Sequence, residues 1–206
     1  MTLDMFAPTT PTRRDVHLDR AIAARLTIID RWMDHEAATQ ALASIMAETP
    51  WNHVPVIIAG KPMMQPRLTA SYGDTGLVYR YSGTTNTPLP WTPTLDMIRH
   101  LIADEVRQLP NFVLMNQYRD GNDSIGWHAD DERDLVTGTP IVALSLGVTR
   151  RFLVKPKGGG ASIGTDLDHG TLAIMGGRIQ GHYLHSIAKE HGRGMRVSLT
   201  FRTVRR

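Results

Sequence analysis

Arg196-Val197-Ser198-Leu199-Thr200-Phe201-Arg202 alternates without a break: every even position is polar or charged and every odd position is apolar. A strand has a side-chain period of two. Arg196, Ser198, Thr200 and Arg202 therefore share one face, and Val197, Leu199 and Phe201 share the other. Thr203 ends the pattern. The bland reading is an amphipathic edge strand with its polar face in water. The sharper one is a binding wall, because two guanidinium forks with two hydroxyls between them make a clamp for carboxylates.

Similar short runs lie upstream. Residues 111–118, 140–148, 151–155 and 170–175 are rich in Val, Ile, Leu, Phe and Tyr and are separated by Gly, Asp and Asn. Residues 26–32 read as a further strand. Two helices fall in the N-terminal half. Asp34 can cap one whose apolar face is Ala38, Leu42, Ile45 and Met46, with Pro50 as its stop. Thr92-Pro93 is a cap and first-turn pair for the other, with Leu95, Ile98, Ile102 and Val106 on its buried side and Pro110 beyond it. Helices followed by many short strands argue an α+β fold, a β-sandwich or barrel with helices packed on one side. Residues 1–20 mix Thr, Pro, Arg and Asp without apolar periodicity and read as a flexible N-terminal arm. Residues 21–206 read as a single domain.

Composition narrows the chemistry. Of 206 residues, 41% are hydrophobic and 21% charged, as in an ordinary globular protein. No apolar run approaches the ~18 residues that would cross a bilayer, and no secretory leader is evident, so a cytoplasmic address is expected, or a nuclear one in a eukaryote. Cysteine is absent, which excludes disulfides, thiolate metal sites and cysteine nucleophiles together. Any bound metal must use His nitrogen and carboxylate oxygen. Lys+Arg number 23 against 20 Asp+Glu, a net charge of 23 − 20 = +3, which permits a polyanionic partner.

His128 and Asp130, in Gly126-Trp127-His128-Ala129-Asp130, are two apart and leave an extended segment on the same face. Alone, His-x-Asp is a weak signal. A third ligand can come from a distant strand, and His185 follows a sheet-like stretch. Two imidazoles and one carboxylate on one face of an octahedron leave three positions open, the arrangement of Fe(II) oxygenases. The same triad could bind Zn2+ and activate water, but that reading leaves the Arg196/Arg202 face unexplained. The strand 111–118 offers a second wall, since Phe112, Leu114, Asn116 and Tyr118 share a face. Residues 120–126 imitate a calcium loop, with the required Gly displaced by one position. His182 competes with His185 as a ligand, and Trp91 and Trp127 read as core.

The run from Asn111 through Asn116-Gln-Tyr118 to Trp127-His-Ala-Asp-Asp-Glu132 resembles the AlkB family of nucleobase dealkylases. So do Pro140-Ile-Val-Ala-Leu-Ser-Leu-Gly147, His182-Tyr-Leu-His-Ser186 and Arg196-x-Ser-x-Thr-x-Arg202. Pro66-Arg67, the run from Ala70 to Gly83, and Pro90-Trp91 are similar to the duplex-repairing branch of animals and plants. The likeness covers about three quarters of the chain, from about Trp51 to Arg202. It implies a double-stranded β-helix (jelly-roll) core with N-terminal helices packed on one side. It implies Fe(II) held by His128, Asp130 and His185, with 2-oxoglutarate and O2 as co-substrates. Asn116, Tyr118, Arg196, Thr200 and Arg202 would bind 2-oxoglutarate. Within a nucleotide-recognition segment of about 51–91, Tyr81 would stack on a flipped base. Tyr79 and Asp131 would touch the base or its pocket. The implied activity is oxidative demethylation of 1-methyladenine- and 3-methylcytosine-type bases in DNA by a monomer. RNA, or a substrate that is not a nucleic acid, is the alternative. Two departures stand out. Ser198 replaces the family's Asn, and Ile57-Ile58-Ala59 stands where the duplex-repairing relatives carry a bulky aromatic wedge.

Overall fold

Arg196–Arg202 is a strand with all seven residues buried, and it lies inside a sheet rather than at its edge. Its polar face is therefore not in water. The computed structural model describes residues 10–19, 24–58, 61–81, 84–176 and 178–205. In chain order these form β1 (Thr12–Asp19), β2 (Ala24–Asp30), α1 (His35–Glu48), β3 (Pro55–Ile58), β4 (Lys61–Met64), β5 (Leu68–Gly73), β6 (Tyr79–Tyr81) and β7 (Thr84–Asn86). There follow α2 (Pro93–Val106), β8 (Phe112–Tyr118), β9 (Ile125–His128), β10 (Ile141–Gly147), β11 (Arg150–Pro156) and β12 (Ile163–Leu167). The last elements are β13 (Thr171–Met175), α3 (Ile179–His182), β14 (Tyr183–Ile187) and β15 (Arg196–Arg202).

A seven-stranded sheet runs β1-β2-β13-β10-β15-β8-β5 and a four-stranded sheet runs β12-β11-β14-β9. β3–β4 and β6–β7 are separate antiparallel hairpins. The two faces of the large sheet bury different things. On one face Val197, Leu199 and Phe201 join Val113, Met115, Val142, Leu144 and Leu172 against α1 and α2. The helices present Ala38, Ala41 and Ile45, and Leu95, Ile98 and Ile102. Each fully buried aliphatic or aromatic side chain there contributes roughly 1.5–3 kcal/mol. The other face meets the small sheet, with Leu26, Ile28, Ile141 and Ala173 against Phe152, Val154 and Ile187. This sandwich, with helices on the outer face of one sheet, is the one the alternating pattern predicts and the jelly-roll core the family resemblance implies.

The helix caps are those the sequence predicts. Asp34 accepts from the Ala37 amide at 2.8 Å, and Thr92 accepts from the Leu95 amide ahead of Pro93. The N-terminal arm needs correcting over part of its length. Residues 1–9 lie outside the described residues, but Thr12–Asp19 pairs antiparallel with β2. Val16 and Leu18 share a face and pack on the inter-sheet core. Two apolar residues among charged ones made a signal too thin to read as a strand, and pairing with a buried neighbour supplies the rest.

His169, in the turn before β13, ties the sheet to α1. Its Nδ1 accepts the Gly147 amide at 2.9 Å, so Nε2 carries the hydrogen and donates to Thr39 Oγ1 at 3.1 Å. Burial, and then the neighbouring His35, push its pKa below the ordinary value. The unfolded chain thus binds more protons than the folded one near pH 6.5. The stabilisation is complete above that value and lost as pH falls through it towards the folded pKa. His169→Gln should flatten this part of a urea-midpoint-versus-pH profile as pH falls below about 6.5. An unchanged slope would remove His169 from the account.

Candidate active site

Five strands bring the site together. β15 lies beside β8 in a register that sets Arg196 opposite Tyr118 and Ser198 opposite Asn116. On its other side β10 sets Ser145 opposite Ser198 and Ala143 opposite Thr200. In the facing sheet, β14 and β9 place His185 directly across from His128, with ring centroids 4.2 Å apart. Asp130 follows two residues after His128 and is almost fully buried. Asn116, Tyr118, His128, Asp130, His185, Arg196, Thr200 and Arg202 all line one cavity between the sheets.

His128, Asp130 and His185 offer ligand atoms that lie within 4.8 Å of one another. Their protonation suits a cation. Burial alone would raise the Asp130 carboxyl, but Arg202, then His185 and His128, outweigh it and hold its pKa at about 2. Burial drives His185 down to about 3 against the pull of Asp130, so its imidazole is neutral at pH 7. His128 is lowered as well, again mainly by burial. Its Nδ1 lies 2.8 Å from the Gly126 carbonyl, a pure acceptor. That fixes the Nδ1–H tautomer and leaves the Nε2 lone pair, 3.8 Å from the Asp130 carboxylate, for a metal. Two neutral imidazoles and an ionised carboxylate, with no sulfur ligand, are a donor set for Fe(II).

Arg196 is almost completely buried, and its Nε donates to Ser145 Oγ at 2.9 Å. Its guanidinium carbon sits 5.2 Å from the centre of the Tyr118 ring. Nη1 finds no hydrogen-bond partner among the described residues. A buried cation with an unmet donor is costly unless an anion completes it. Arg202 lines the same cavity but sends Nη2 to Asp130 Oδ1 at 2.8 Å. It holds the carboxylate as well as facing the cavity. Asn116 accepts from Arg67 Nε at 2.6 Å through Oδ1, which leaves its NH2 as the donor open to a ligand.

Other site residues lie elsewhere. Asp131 is exposed and pairs with Lys157 at 2.8 Å. Tyr79 and Tyr81 have their backbones in β6, and their side chains fall outside the described residues. The same holds for Ala59 and the side chains of Ile57 and Ile58. His182 is exposed at the end of α3, so β14 presents His185 and not His182 to the site. Trp91 packs on the helix-side core, stacked on Phe201 as a core residue would be. Trp127 corrects the core reading: it is 39% exposed, on the outer face of β9, with Lys155 4.3 Å above its ring. The calcium-like loop is spoken for, since Asp123 pairs with Arg119 and Asp120 Oδ1 accepts from the Asn122 amide.

Arg67, Ser145, Arg150 and Gln180 are the site residues that sequence reasoning missed. Arg150 is fully buried at the start of β11, the first of two adjacent arginines. It donates to the carbonyls of Asp120, Asp123 and Ala188 and approaches Glu190 at 3.4 Å. It thus straps the loop before β9 to the end of β14, the two strands that carry the histidines. Gly121 lets that strap close, since a Cβ there would meet the Glu190 carbonyl at 1.8 Å. Arg150→Met should leave the Asp120, Asp123 and Ala188 carbonyls without their charged donor, while Glu190 keeps Arg151 and Arg193. A loss of about 3–5 kcal/mol is expected in urea unfolding, from hydrogen bonds of a charged donor worth about 1.5–3 kcal/mol each. A loss below 1 kcal/mol, the scale of an exposed pair, would refute the strap.

Residues 25–202 match the 2OG-Fe(II) oxygenase superfamily. The chain belongs to this superfamily, in its AlkB branch. It is 37% identical over 178 residues to the DNA oxidative demethylase ALKBH2 of Mus musculus, covering 82% of this chain and 70% of that one. Against the ALKBH2 of Homo sapiens it is 38% identical, with 82% and 64% covered. The human alpha-ketoglutarate-dependent dioxygenase alkB homolog 3 is 36% identical over 201 residues, with 92% and 70% covered. The chain thus spans between 60% and 70% of the length of the mammalian relatives named ALKBH2. The structure of OsALKBH1 has the same fold, with a TM-score of 0.65 at 15% identity over 86% of this chain and 96% of that one. This oxygenase is an Fe(II)- and 2-oxoglutarate-dependent dioxygenase.

Proposed function

We propose that the chain removes N-methyl groups oxidatively from bases of the 1-methyladenine and 3-methylcytosine type in DNA. In this reading residues 21–206 form one catalytic domain, and His128, Asp130 and His185 hold Fe(II). Arg196, Asn116, Tyr118, Thr200 and Arg202 bind 2-oxoglutarate. The observation that carries the reading is the coincidence, in one buried cavity, of a metal-competent triad and an arginine fork lacking an anion. The identity of 36–38% to mammalian DNA oxidative demethylases and AlkB homologues directs it to alkylated nucleic acid.

Bound there, Fe(II) with 2-oxoglutarate supplies the oxidation. One atom of O2 goes to succinate as CO2 leaves, and the other enters a methyl C–H bond; the N–CH2OH product then breaks to formaldehyde and the free base. The protein's own groups do the rest. Arg202 keeps Asp130 ionised. Arg196, braced by Ser145 and Tyr118, holds the carboxylate remote from the metal. Asn116 offers its amide NH2. The apolar walls of Leu114, Ile125, Phe152 and Met175 exclude water from the same cavity. A methylated base must leave the duplex to reach it, and a lesion that blocks pairing lowers that cost. Tyr81, from the hairpin β6–β7, would stack on that base.

Formaldehyde release from one 1-methyladenine strand, tested alone, annealed, and as RNA, checks the proposal. Because Ile57-Ile58-Ala59 has no aromatic wedge, the single DNA strand should be repaired at least as fast as the duplex. Absence of formaldehyde from every strand would sink the base-demethylation reading.

A further inference from the structure

Gln180 has no part in the reading above, yet it is only 8% exposed and sits against the metal group. It belongs to the single turn α3, immediately before β14 and His185. Its Oε1 accepts the backbone N–H of Asp130 at 2.9 Å. Its Nε2 donates to Met175 Sδ at 3.4 Å, and Met175 is a core residue of β13. The amide can point only one way. Reversed, its NH2 would face the Asp130 N–H and its oxygen would face sulfur.

We infer that Gln180 is a positioning residue for the metal site, fixing the backbone at Asp130 while Arg202 fixes its carboxylate. The inference rests on His128, Asp130 and His185 being the metal ligands. Asp130 lies beyond the end of β9, where no ladder partner holds it. A two-residue step from His128 can therefore swing unless something pins it. Gln180 does so from the element that leads into His185, so that the second and third ligands are held by one short piece of chain. Outer partners of metal ligands commonly govern affinity in this way.

The test titrates the metal-free protein with Co(II), a spectroscopic stand-in for Fe(II), and follows heat and the visible d–d bands. Gln180→Met keeps the packing volume and deletes the acceptor. Its Co(II) Kd should rise about 10- to 100-fold, with altered bands. Gln180→Asn draws the amide back by one methylene and should shift in the same direction, which covers the case where the methionine variant does not fold. In the unaltered chain, the Asp130 amide should be protected from hydrogen exchange, a readout that needs no variant. Parent-like Co(II) affinity in a folded variant, or an Asp130 amide that exchanges as fast as an exposed loop, would overturn the inference. Failure of the parent chain to bind Co(II) at all would instead strike the ligand assignment beneath it.

Discussion

His185→Ala is expected to abolish Fe(II)-dependent turnover of 2-oxoglutarate and leave the fold standing. Removing an outer partner of a metal ligand commonly costs 10- to 100-fold, so removing a ligand should cost on the order of a hundredfold or more. His185 is the cleanest of the three positions. Its ring is neutral and, among the described residues, takes part in no hydrogen bond, and its loss leaves Asp130 paired with Arg202. Asp130→Ala should be equally inactive but also unstable. It leaves the Arg202 guanidinium buried without its carboxylate, a defect of about 3–5 kcal/mol. Asp130→Asn keeps the shape and is the better comparison. The assay is succinate formation at saturating Fe(II), with urea unfolding alongside. Retention of more than about a tenth of the parent rate in His185→Ala would exclude it as a ligand.

The second large effect is expected at Arg196. Arg196→Lys keeps the charge and loses the fork, so the unmet Nη1 donor, the Ser145 contact and the face against Tyr118 go together. A hydrogen bond to a charged group is worth about 1.5–3 kcal/mol, which converts to a rise of roughly ten- to a hundredfold in the 2-oxoglutarate KM. The KM for the oligonucleotide should change little, because the lysine would perturb only the co-substrate end of the cavity. Initial-rate measurements with each substrate varied in turn separate the two. An unchanged 2-oxoglutarate KM would remove Arg196 from that role.

The alternating strand 196–202 carried most of what the sequence could say. Its period of two divided the chain's chemistry correctly, because the odd positions face the helices and the even positions face the cavity. What period cannot give is which face meets water, and only the neighbours β10 and β8 decide that. His128 and Asp130 were legible as a pair through spacing alone. His185 needed the pairing of β14 with β9, a contact between strands far apart in sequence. Arg150 and Gln180 were illegible for the same reason. Each serves backbone groups on other elements, and a carbonyl or an amide leaves no mark in the sequence. Arg67 stood in a stretch with a family resemblance, but its bond to Asn116 spans 49 positions and no local pattern announces it. Trp127 misled because aromatic residues are usually core, whereas the strand's own alternation turns it away from His128.

The central claim is that one cavity joins Fe(II), 2-oxoglutarate and a methylated base in a single reaction. The most direct test is the stoichiometry of succinate and formaldehyde on a single-stranded 1-methyladenine oligonucleotide, with Fe(II) and separately with Zn2+. The expected result is one formaldehyde for each succinate with Fe(II), and neither product with Zn2+. Turnover with Zn2+, or succinate formed in the presence of the oligonucleotide without any formaldehyde, would contradict it.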